Sequence, residues 1–301
     1  MVNFTRNIFL LRNSSYSVKN INRNSSSNTK ELVLSSTKNN VTTITLNNPK
    51  KYNAWDMALT NQMVDKFSKA ASDPQTKVVI YTGTDPYFCS GGNLSEFLGR
   101  KSPKGLQKMI RENNERCFNV FLEFPKPIIA AVNGPGIGAG TTAPALCDII
   151  LASDRATFST PFKNLGVGPE GCASVHFERC LGPAVARRLL IDCWKPTAVE
   201  AREAGMVAEV VPHNQLLERA QELGEEWVGS GRERIIRGGG SVEEYKQVNK
   251  KESNDLAEAF VSEEFLKTQL EFLRKKGKHQ SVPGLVLWLM LASRPAWSRF
   301  L

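Results

Sequence analysis

Two glycine-rich turns hold residues whose types and spacing could do chemistry. One spans residues 88–94 (FCSGGNL), and the other spans residues 133–140 (NGPGIGAG) and leads into a short predicted helix. Glycine allows a backbone to approach a ligand closely, and a helix N-terminus leaves amide donors without intrahelical partners. Each turn alone is also compatible with a plain connection after a strand. Together they could aim two N–H groups at one oxygen, the arrangement that stabilises an oxyanion.

The second turn also fits a rival motif for dinucleotide binding. Gly134, Gly136 and Ala139 match the G-x-G-x-x-G/A fingerprint after a predicted strand, and Asp154 follows twenty residues after Gly134. However, only fourteen residues separate the two predicted strands that flank this turn, and Pro144 shortens any helix between them. This length is too small for a normal βαβ crossover, so the spacing disfavours a nicotinamide cofactor.

The elements that must position these turns alternate along the chain. Short apolar or β-branched runs predict strands at residues 41–46, 77–82, 127–132, 147–152 and 207–211. Residues 56–72 have the periodicity of an amphipathic helix, and Thr197 with Glu200 predicts a capping box at the start of another. The charged run at residues 243–252 predicts a solvated helix face. This alternation of strands and helices predicts an α/β fold.

The composition excludes several classes of protein. The 301 residues are 41% hydrophobic and 23% charged, which is enough for a buried core and unlike a disordered or collagen-like chain. The longest apolar stretch, residues 282–292, contains Pro283 and Gly284 and is too short to span a membrane. The net charge of +9 suggests nucleic acid as a partner. The first thirty residues, however, carry five of the cations, and the remainder has 34 Lys and Arg against 30 Asp and Glu. We therefore expect no nucleic-acid partner.

The basic first thirty residues resemble a mitochondrial transit peptide. They contain no Asp or Glu, are rich in Ser and Asn, and could place Phe4, Ile8 and Leu11 on one helical face. A disordered tail is the alternative. The last four residues, SRFL, differ from the Ser-Lys-Leu peroxisomal address. The expected location is the mitochondrial matrix, with the peroxisome as the alternative.

The cysteines and histidines predict neither a metal site nor a disulfide framework. The six cysteines and three histidines have no metal-ligand spacing, and several cysteines lie in apolar runs. Buried, reduced thiols are the expectation for such a pattern. The scattered histidines suggest no His-based catalytic triad.

Beyond these patterns, the motifs resemble those of the crotonase (enoyl-CoA hydratase/isomerase) superfamily. The resemblance runs from about residue 32 to residue 227 and rests on residues 88–92, 133–140 and 147–153 (CDIILAS). Residues 152–162 (ASDRATFSTPF) and 165–172 (LGVGPEGC) are most similar to the peroxisomal-type Δ3,Δ2-enoyl-CoA isomerases of that superfamily. The implied fold is a ClpP-like spiral of ββα units. We expect a leader at residues 1–30, the spiral core at residues 31–235 and a helical trimerisation region at residues 236–301.

The resemblance also implies a site. It places the two oxyanion-hole donors at the backbone amides of Ser90 and Gly140, and the single catalytic acid and base at Glu170. Without this context, Glu170 could equally be a solvated carboxylate in a Pro-Glu-Gly turn. Substrate contacts are expected at a larger set of positions, namely Ala54, Cys89, Ser90, Gly91, Gly92, Asn93, Leu94, Gly138, Thr142 and Phe162.

The residues at two further positions favour isomerisation over hydration. Hydratases of the superfamily use two glutamates, whereas the matching positions here hold Thr142 and Phe162. One carboxylate suffices to move a proton from C2 to C4 of a 3-enoyl thioester, and an apolar pocket should raise the pKa of Glu170 for that task. Thr142 could instead be a helix hydroxyl with a backbone partner.

The expected protein is therefore a Δ3,Δ2-enoyl-CoA isomerase of fatty-acid β-oxidation. It is expected to act on an acyl-CoA thioester without a cofactor, CoA being part of the substrate, and to form a homotrimer or hexamer. The alternatives are an enoyl-CoA hydratase or another acyl-CoA reaction on the same fold, or a non-catalytic or RNA-binding protein. A basic patch with interleaved aromatic residues would favour RNA binding, and none is evident outside the leader.

Overall fold

Eight short strands make up two sheets in the computed structural model, which describes residues 30–93 and 102–275 together with residues 277 and 290. In chain order the strands are β1 (Val33–Lys38), β2 (Val41–Leu46), β3 (Val78–Gly83), β4 (Ile128–Val132), β5 (Gly136–Ile137), β6 (Ile149–Ser153), β7 (Phe158–Ser159) and β8 (Glu209–Val211). From Glu31 onward the described residues belong to one compact unit. The predicted leader lies outside the described residues, as does Leu94.

The helices are numbered in chain order in the same way, and all but the first follow β3. They are α1 (Met57–Ser72), α2 (Pro103–Glu123), α3 (Ala139–Ala145), α4 (Phe162–Leu165), α5 (Ala173–Leu190), α6 (Ala198–Glu203), α7 (Leu216–Ser230), α8 (Val242–Ala259) and α9 (Glu263–Lys275). Helix α5 is kinked at Gly182, which has φ 78° and ψ 163°. Residues 49–51 and 213–215 form single 3₁₀ turns.

The larger sheet has six strands in the order β1-β2-β3-β4-β6-β8. Strand β1 is antiparallel to β2, and the other neighbours are parallel, with Val41 opposite Val78 and Val79 opposite Ile128. Parallel strands are covered on both faces and therefore read as continuous apolar runs, as in β4, whose residues are all buried. This arrangement confirms the predicted α/β class.

Alternate residues of β3 face two different apolar layers. Val79 and Tyr81 belong to the main core, which includes the buried face of α1 and the aromatic residues of α2. Val78 and Ile80 belong to a second cluster formed with α7. A third cluster joins α2 to the end of α8 and to α9 through Leu106, Ile110, Leu256, Ala257, Phe260, Val261, Phe265 and Leu266. Because side chains of a strand alternate between faces, the sheet can pack helices on both sides.

A smaller set of parallel pairings joins the segments that follow the main strands. Strand β5 pairs with β7, and single bridges join Trp55 to Gly92 and Cys89 to Gly136. The Cys89 amide donates to the Pro135 carbonyl at 3.3 Å, and the Ile137 amide donates to the Cys89 carbonyl at 2.9 Å. These bonds hold the two glycine turns side by side.

Most predicted elements are present, with shifts of one or two residues at their ends. The helix predicted at residues 56–72 is α1, with Asp56 as its N-cap and Leu59, Met63, Phe67 and Ala70 on its buried face. The capping box of Thr197 and Glu200 is confirmed at the start of α6. The predicted solvated face at residues 243–252 is wrong in part, because Tyr245, Asn249 and Glu252 within this run are buried. The division at residues 235 and 236 stays a prediction.

No helix among the described residues is both long and apolar enough to cross a membrane. Within the same ranges, no group of three His, Cys, Asp or Glu side chains is arranged to hold a metal ion.

Candidate active site

A cavity of about 160 Å³ lies where the two glycine turns meet helices α2, α4, α8 and α9. Backbone of residues 90–92 and 137–139 lines one side of it, together with Glu170. The rest of the wall is largely apolar and includes Ile110, Phe162, Leu165, Val167, Leu256 and Phe260. The cavity thus combines backbone donors and one carboxylate with an apolar wall, a composition typical of small-molecule sites.

Pairing with Trp55 sets the direction of the Gly92 amide in the first turn. Trp55 pairs with this segment through the Gly91 carbonyl, which accepts from the Trp55 amide at 2.8 Å, and through the Asn93 amide, which donates to the Trp55 carbonyl at 3.0 Å. Neighbouring backbone groups of an extended segment alternate in direction. The Gly92 N–H therefore points away from Trp55, on a residue that lines the cavity.

The second turn presents the amide of Ala139. Gly138 has φ 55°, and its own amide donates to the Ser159 carbonyl at 2.8 Å, which ties the turn to β7. Ala139 then begins α3, so its amide has no intrahelical acceptor. This amide hydrogen-bonds to the carboxylate of Glu170. The positive φ of Gly138 is what lets the chain turn sharply into the helix beside that carboxylate.

The predicted donors Ser90 and Gly140 are corrected by these bonds. The Ser90 amide donates to the Tyr52 carbonyl at 3.0 Å, so it is already engaged within the protein. Gly140 is not part of the cavity wall, and its Cα packs on the first turn, where an added Cβ would lie 2.3 Å from the Cys89 carbonyl oxygen. Gly140 follows Ala139 by one helical residue, which turns it about 100° away. Its absence of a side chain serves the close approach of the two turns.

Glu170 lies in a tight turn directly before α5. Gly171 and Cys172 have φ 68° and 63°, and a Cβ on Gly171 would lie 2.5 Å from the ring of Phe118. This conformation sends the Glu170 side chain toward the second turn, where a Cβ on Gly138 would lie 3.5 Å from Glu170 Oε1. The carboxylate therefore faces the cavity beside the Ala139 amide.

The surroundings of Glu170 favour its protonated form. The pKa of Glu170 is raised to about 7, first by burial and second by the negative charge of Glu252, while the Ala139 amide opposes both effects. The side chain is half-buried, and what remains exposed faces the cavity. A carboxyl group with a pKa near neutrality can both take up and release a proton, as the apolar lining predicted.

The structure separates the predicted substrate contacts into two groups. Five line the cavity: Ser90, Gly91, Gly92, Gly138 and Phe162. Four do not, namely Ala54, Cys89, Asn93 and Thr142.

Each of these four has a different local role. Cys89 is fully buried, and its Sγ accepts from the Gly91 amide at 3.3 Å. The Asn93 amide is used in the pairing with Trp55, and Ala54 is half-buried beside that pairing. The hydroxyl of Thr142 donates to the Gly138 carbonyl at 3.4 Å, which is the helix-hydroxyl alternative.

Several cavity residues were missed by sequence reasoning. Trp55, Asn113, Asn114 and Cys117 line the cavity, the last three from α2. The Asn114 side chain donates to the Ser253 hydroxyl at 3.0 Å, which ties α2 to α8. The sequence did carry one signal for these residues. Asn113 and Asn114 are adjacent side-chain amides that lie near the apolar face of an amphipathic helix, where polar residues are not expected.

A Ser-His-Asp set also comes together, although the sequence suggested no such triad. Ser153 Oγ lies 3.0 Å from His213 Nδ1, and His213 Nε2 lies 2.9 Å from Asp85 Oδ2. Ser153 is fully buried at the end of β6, and its hydroxyl accepts from the Arg155 amide at 3.1 Å. Because no substrate atom could reach this hydroxyl, the set acts as a structural link between the loops that follow β3, β6 and β8.

The cavity geometry agrees with the comparison to protein families. A sequence model described as "Enoyl-CoA hydratase/isomerase" matches residues 36–275, which is most of the chain. The chain belongs to the enoyl-CoA hydratase/isomerase family. The resemblance drawn from the motifs is thereby confirmed.

Individual relatives of the chain support the same family assignment. The chain is 34% identical over 265 residues to Enoyl-CoA delta isomerase 2 of Homo sapiens, covering 82% of this chain and 64% of that protein. It is 35% identical over 185 residues to Enoyl-CoA delta isomerase 3, peroxisomal, of Mus musculus, covering 60% and 57% respectively. The chain thus spans less than two thirds of the length of these relatives.

A solved enoyl-CoA hydratase/isomerase from Pseudoalteromonas atlantica has the same fold. It is 26% identical, superimposes with a TM-score of 0.68, and the match covers 81% of this chain and 97% of that one. The crotonase-type fold predicted for this family member is therefore confirmed.

Proposed function

We propose that this chain is a Δ3,Δ2-enoyl-CoA isomerase with Glu170 as its single acid and base. The observation that carries the proposal is the chemistry of the cavity wall. Among the described residues that form this wall, Glu170 is the only carboxylate, and it lies beside a backbone amide at a helix N-terminus. The similarity to two proteins named enoyl-CoA delta isomerases supports the same reaction.

The proposed binding mode uses the amides of Gly92 and Ala139. The thioester oxygen of a 3-enoyl-CoA would accept a hydrogen bond from each, which places C2 of the acyl group near Glu170. These two amides take the role that the motif comparison gave to Ser90 and Gly140. Preorganised backbone donors of this kind stabilise negative charge at little cost, because they need no reorganisation during the reaction.

The proposed reaction moves one proton twice. Glu170 removes a proton from C2, and the electron pair of that C–H bond enters a dienolate whose negative charge collects on the thioester oxygen. The protonated Glu170 then delivers the proton to C4, while the double bond shifts from C3–C4 to C2–C3. The products are a trans-2-enoyl-CoA and the regenerated carboxylate, so no co-reactant is consumed.

The bond between Ala139 and Glu170 would contribute to this sequence. That amide lowers the pKa of Glu170, so a thioester oxygen that takes over the amide removes a stabilising partner from the carboxylate. The base then becomes stronger when substrate arrives. The same exchange supplies the oxyanion with its donor at the moment when charge develops.

Hydration fits the cavity less well than isomerisation. Adding water across a double bond needs one group to activate the water and another to supply a proton. Phe162 contributes an apolar ring to the wall, and Thr142 lies outside it with its hydroxyl bonded to a carbonyl. The apolar wall formed with Leu256 and Phe260 suits a hydrocarbon chain, which supports a fatty-acyl substrate.

The assay compares two reactions of the purified chain. Formation of trans-2-enoyl-CoA from 3-enoyl-CoA is measured alongside hydration of trans-2-enoyl-CoA. We expect isomerisation to be the faster reaction by at least tenfold and to need no added metal or cofactor. Absence of isomerisation, or hydration at a comparable rate, would overturn the assignment.

Location and assembly belong to the proposal as well. We expect import into the mitochondrial matrix, directed by the acid-free first thirty residues, with the peroxisome as the alternative. A fluorescent fusion of the full chain, compared with one that lacks residues 1–30, separates the two. We expect a homotrimer or hexamer, which mass measurement in solution would report.

A further inference from the structure

A second buried carboxylate lies behind Glu170. Glu252, on α8, is 4% exposed, and its two oxygens accept hydrogen bonds from the amides of Cys172 at 2.6 Å and Ser174 at 2.9 Å. These amides belong to the first turn of α5, which begins directly after the turn that holds Glu170. Glu252 does not line the cavity, so it is placed to act on Glu170 rather than on a ligand.

The bonds from Glu252 help to fix a turn that is also held by the Ala173 amide, which donates to the Glu170 carbonyl at 3.3 Å, and by Cys172 Sγ, which donates to the Tyr245 carbonyl at 3.2 Å. Gly171 and Cys172 both have positive φ, a conformation that costs energy at Cys172 because it is not glycine. Cys172 is also the residue before α5 and provides no side-chain cap to the helix. The Glu252 carboxylate supplies that missing cap from another helix and occupies the positive end of the α5 dipole.

The negative charge of Glu252 also raises the pKa of Glu170. Glu252 and the Ala139 amide act on the pKa of Glu170, and Glu170 in turn raises the pKa of the buried thiols of Cys89 and Cys117. Both thiols have a pKa raised to about 12, first by burial, and are uncharged at neutral pH. Glu252 is therefore the neighbour whose charge acts on the base.

Opposing influences act on the ionisation of Glu252. Its pKa is raised above the ordinary value, first by burial and further by the charge of Asp255, and the hydrogen bonds from Ser174 and Cys172 limit this rise. Lys251 pairs with Asp255 at 2.6 Å on the exposed side of α8. Amide bonds at a helix N-terminus favour the charged form of the carboxylate that accepts them.

We propose that Glu252 is a positioning residue for Glu170, one that fixes the turn behind it through the amides of Cys172 and Ser174. The proposal rests on the proposed function of Glu170 as acid and base. Glu252 would keep the Glu170 carboxyl aimed at C2 and C4 of the substrate. Its charge would also make Glu170 a better proton acceptor than a buried carboxylate with a neutral neighbour.

The test is a titration of Glu170 that does not depend on activity. Infrared difference spectra of the full chain are recorded across pH, and the carboxyl band that is lost in Glu170→Gln identifies Glu170. Glu252→Gln keeps the size of the side chain and removes its charge. We expect the Glu170 midpoint to fall by about one pH unit in this variant. The matched control is Glu258→Gln, an exposed charge on the same helix, which should leave the midpoint in place.

The outcomes separate tuning of Glu170 from simple structural support. A lower melting temperature in Glu252→Gln with an unchanged Glu170 midpoint would overturn the proposal. If Glu252→Gln does not fold, Glu252→Asp decides, because it keeps the charge but withdraws it from the amides by one methylene. Faster amide hydrogen exchange at Cys172 and Ser174, with kcat lowered about tenfold and KM little changed, would support positioning. Unchanged exchange in that variant would overturn it.

The same design distinguishes this inference from the assignment of the reaction. The infrared midpoint and the amide exchange are measured without substrate. If the wild-type chain fails to isomerise 3-enoyl-CoA, the proposed function fails while the effect of Glu252 on Glu170 is still measured. If isomerisation occurs and the midpoint does not move, only the role of Glu252 is wrong.

Discussion

The backbone amide of Ala139 hydrogen-bonds to the carboxylate of Glu170, across the gap between α3 and the turn before α5. One bond thereby joins the donor and the base that the proposed reaction requires. In the proposed mechanism, the Glu170 carboxylate and the thioester oxygen compete for this amide. We expect substrate binding to separate the pair, which would link recognition of the thioester to activation of the base.

Replacement of Glu170 by Gln should remove catalysis without removing binding. The amide cannot take a proton from C2, so we expect kcat for isomerisation to fall by about 10²–10⁴-fold. Affinity for a saturated acyl-CoA, measured by calorimetry, should change by less than about threefold. The control is Glu178→Gln, an exposed glutamate on α5. Turnover by Glu170→Gln near that of the control would rule out Glu170 as the base.

The pH dependence of the reaction should follow the ionisation of Glu170. Burial raises its pKa to about 7, and the base must be ionised to accept the C2 proton. We expect kcat/KM to fall about tenfold per pH unit below pH 7 and to level off above it. A profile that stays flat down to pH 5 would contradict this assignment of the base.

The free energy of unfolding should also depend on the ionisation of Glu170, but it should decrease with pH where kcat/KM increases. Because the pKa of Glu170 is higher in the folded chain, the folded state keeps a proton that the unfolded state releases between about pH 4.5 and pH 7. The free energy of unfolding therefore decreases as pH rises through this window. Glu170→Gln removes the loss, so it should be more stable than wild type by about 2–3 kcal/mol at pH 8 and nearly equal at pH 4.5. Urea denaturation at both pH values measures the difference.

Removal of the Ala139 amide should impair stabilisation of the oxyanion. Proline fits the first position of a helix and lacks an N–H, so Ala139→Pro deletes this donor with limited disturbance of α3. We expect kcat to fall by about 10²–10³-fold, the usual cost of one oxyanion donor. Ala139→Gly keeps the amide and is the control. Equal turnover in the two variants would show that this amide does not contact the transition state.

The close approach of the two turns should not tolerate a methyl group at Gly140. The added Cβ would lie 2.3 Å from the Cys89 carbonyl oxygen, which forces the turns apart. We expect Gly140→Ala to lower the free energy of unfolding by about 1–3 kcal/mol and to reduce kcat. Gly229→Ala, where a Cβ meets no atom within 4 Å, should leave both unchanged. A neutral result at Gly140 would contradict the packing role given to it.

The proposed oxyanion donors show where the motif comparison stopped being sufficient. It selected two turns that line the cavity, but its donors lie two residues before Gly92 in the first turn and one residue after Ala139 in the second. The Ser90 amide donates to the Tyr52 carbonyl, and Gly140 packs against Cys89. Which amide of a glycine-rich turn faces a ligand depends on the direction of each peptide plane, and pairing with Trp55 sets that direction for Gly92.

Glu252 shows a different limit of the sequence pattern. It lies in a run of charged residues that predicts a solvated face, and half of that run is exposed. Its burial depends on the start of α5, eighty residues earlier in the chain, where two amides without an intrahelical acceptor donate to Glu252. Periodicity within α8 carries no information about that partner.

The sequence by itself determined the α/β class, the family and the identity of the single candidate base. Strand runs, the N-cap of α1, the capping box of α6 and the Pro-Glu-Gly turn depend on neighbours within a few residues, so local patterns suffice. Only the tertiary structure decided which amides face Glu170, which side chains complete the cavity and which second charge lies behind the base. These depend on peptide directions and on contacts between residues far apart in the chain, which close packing fixes and local spacing does not encode.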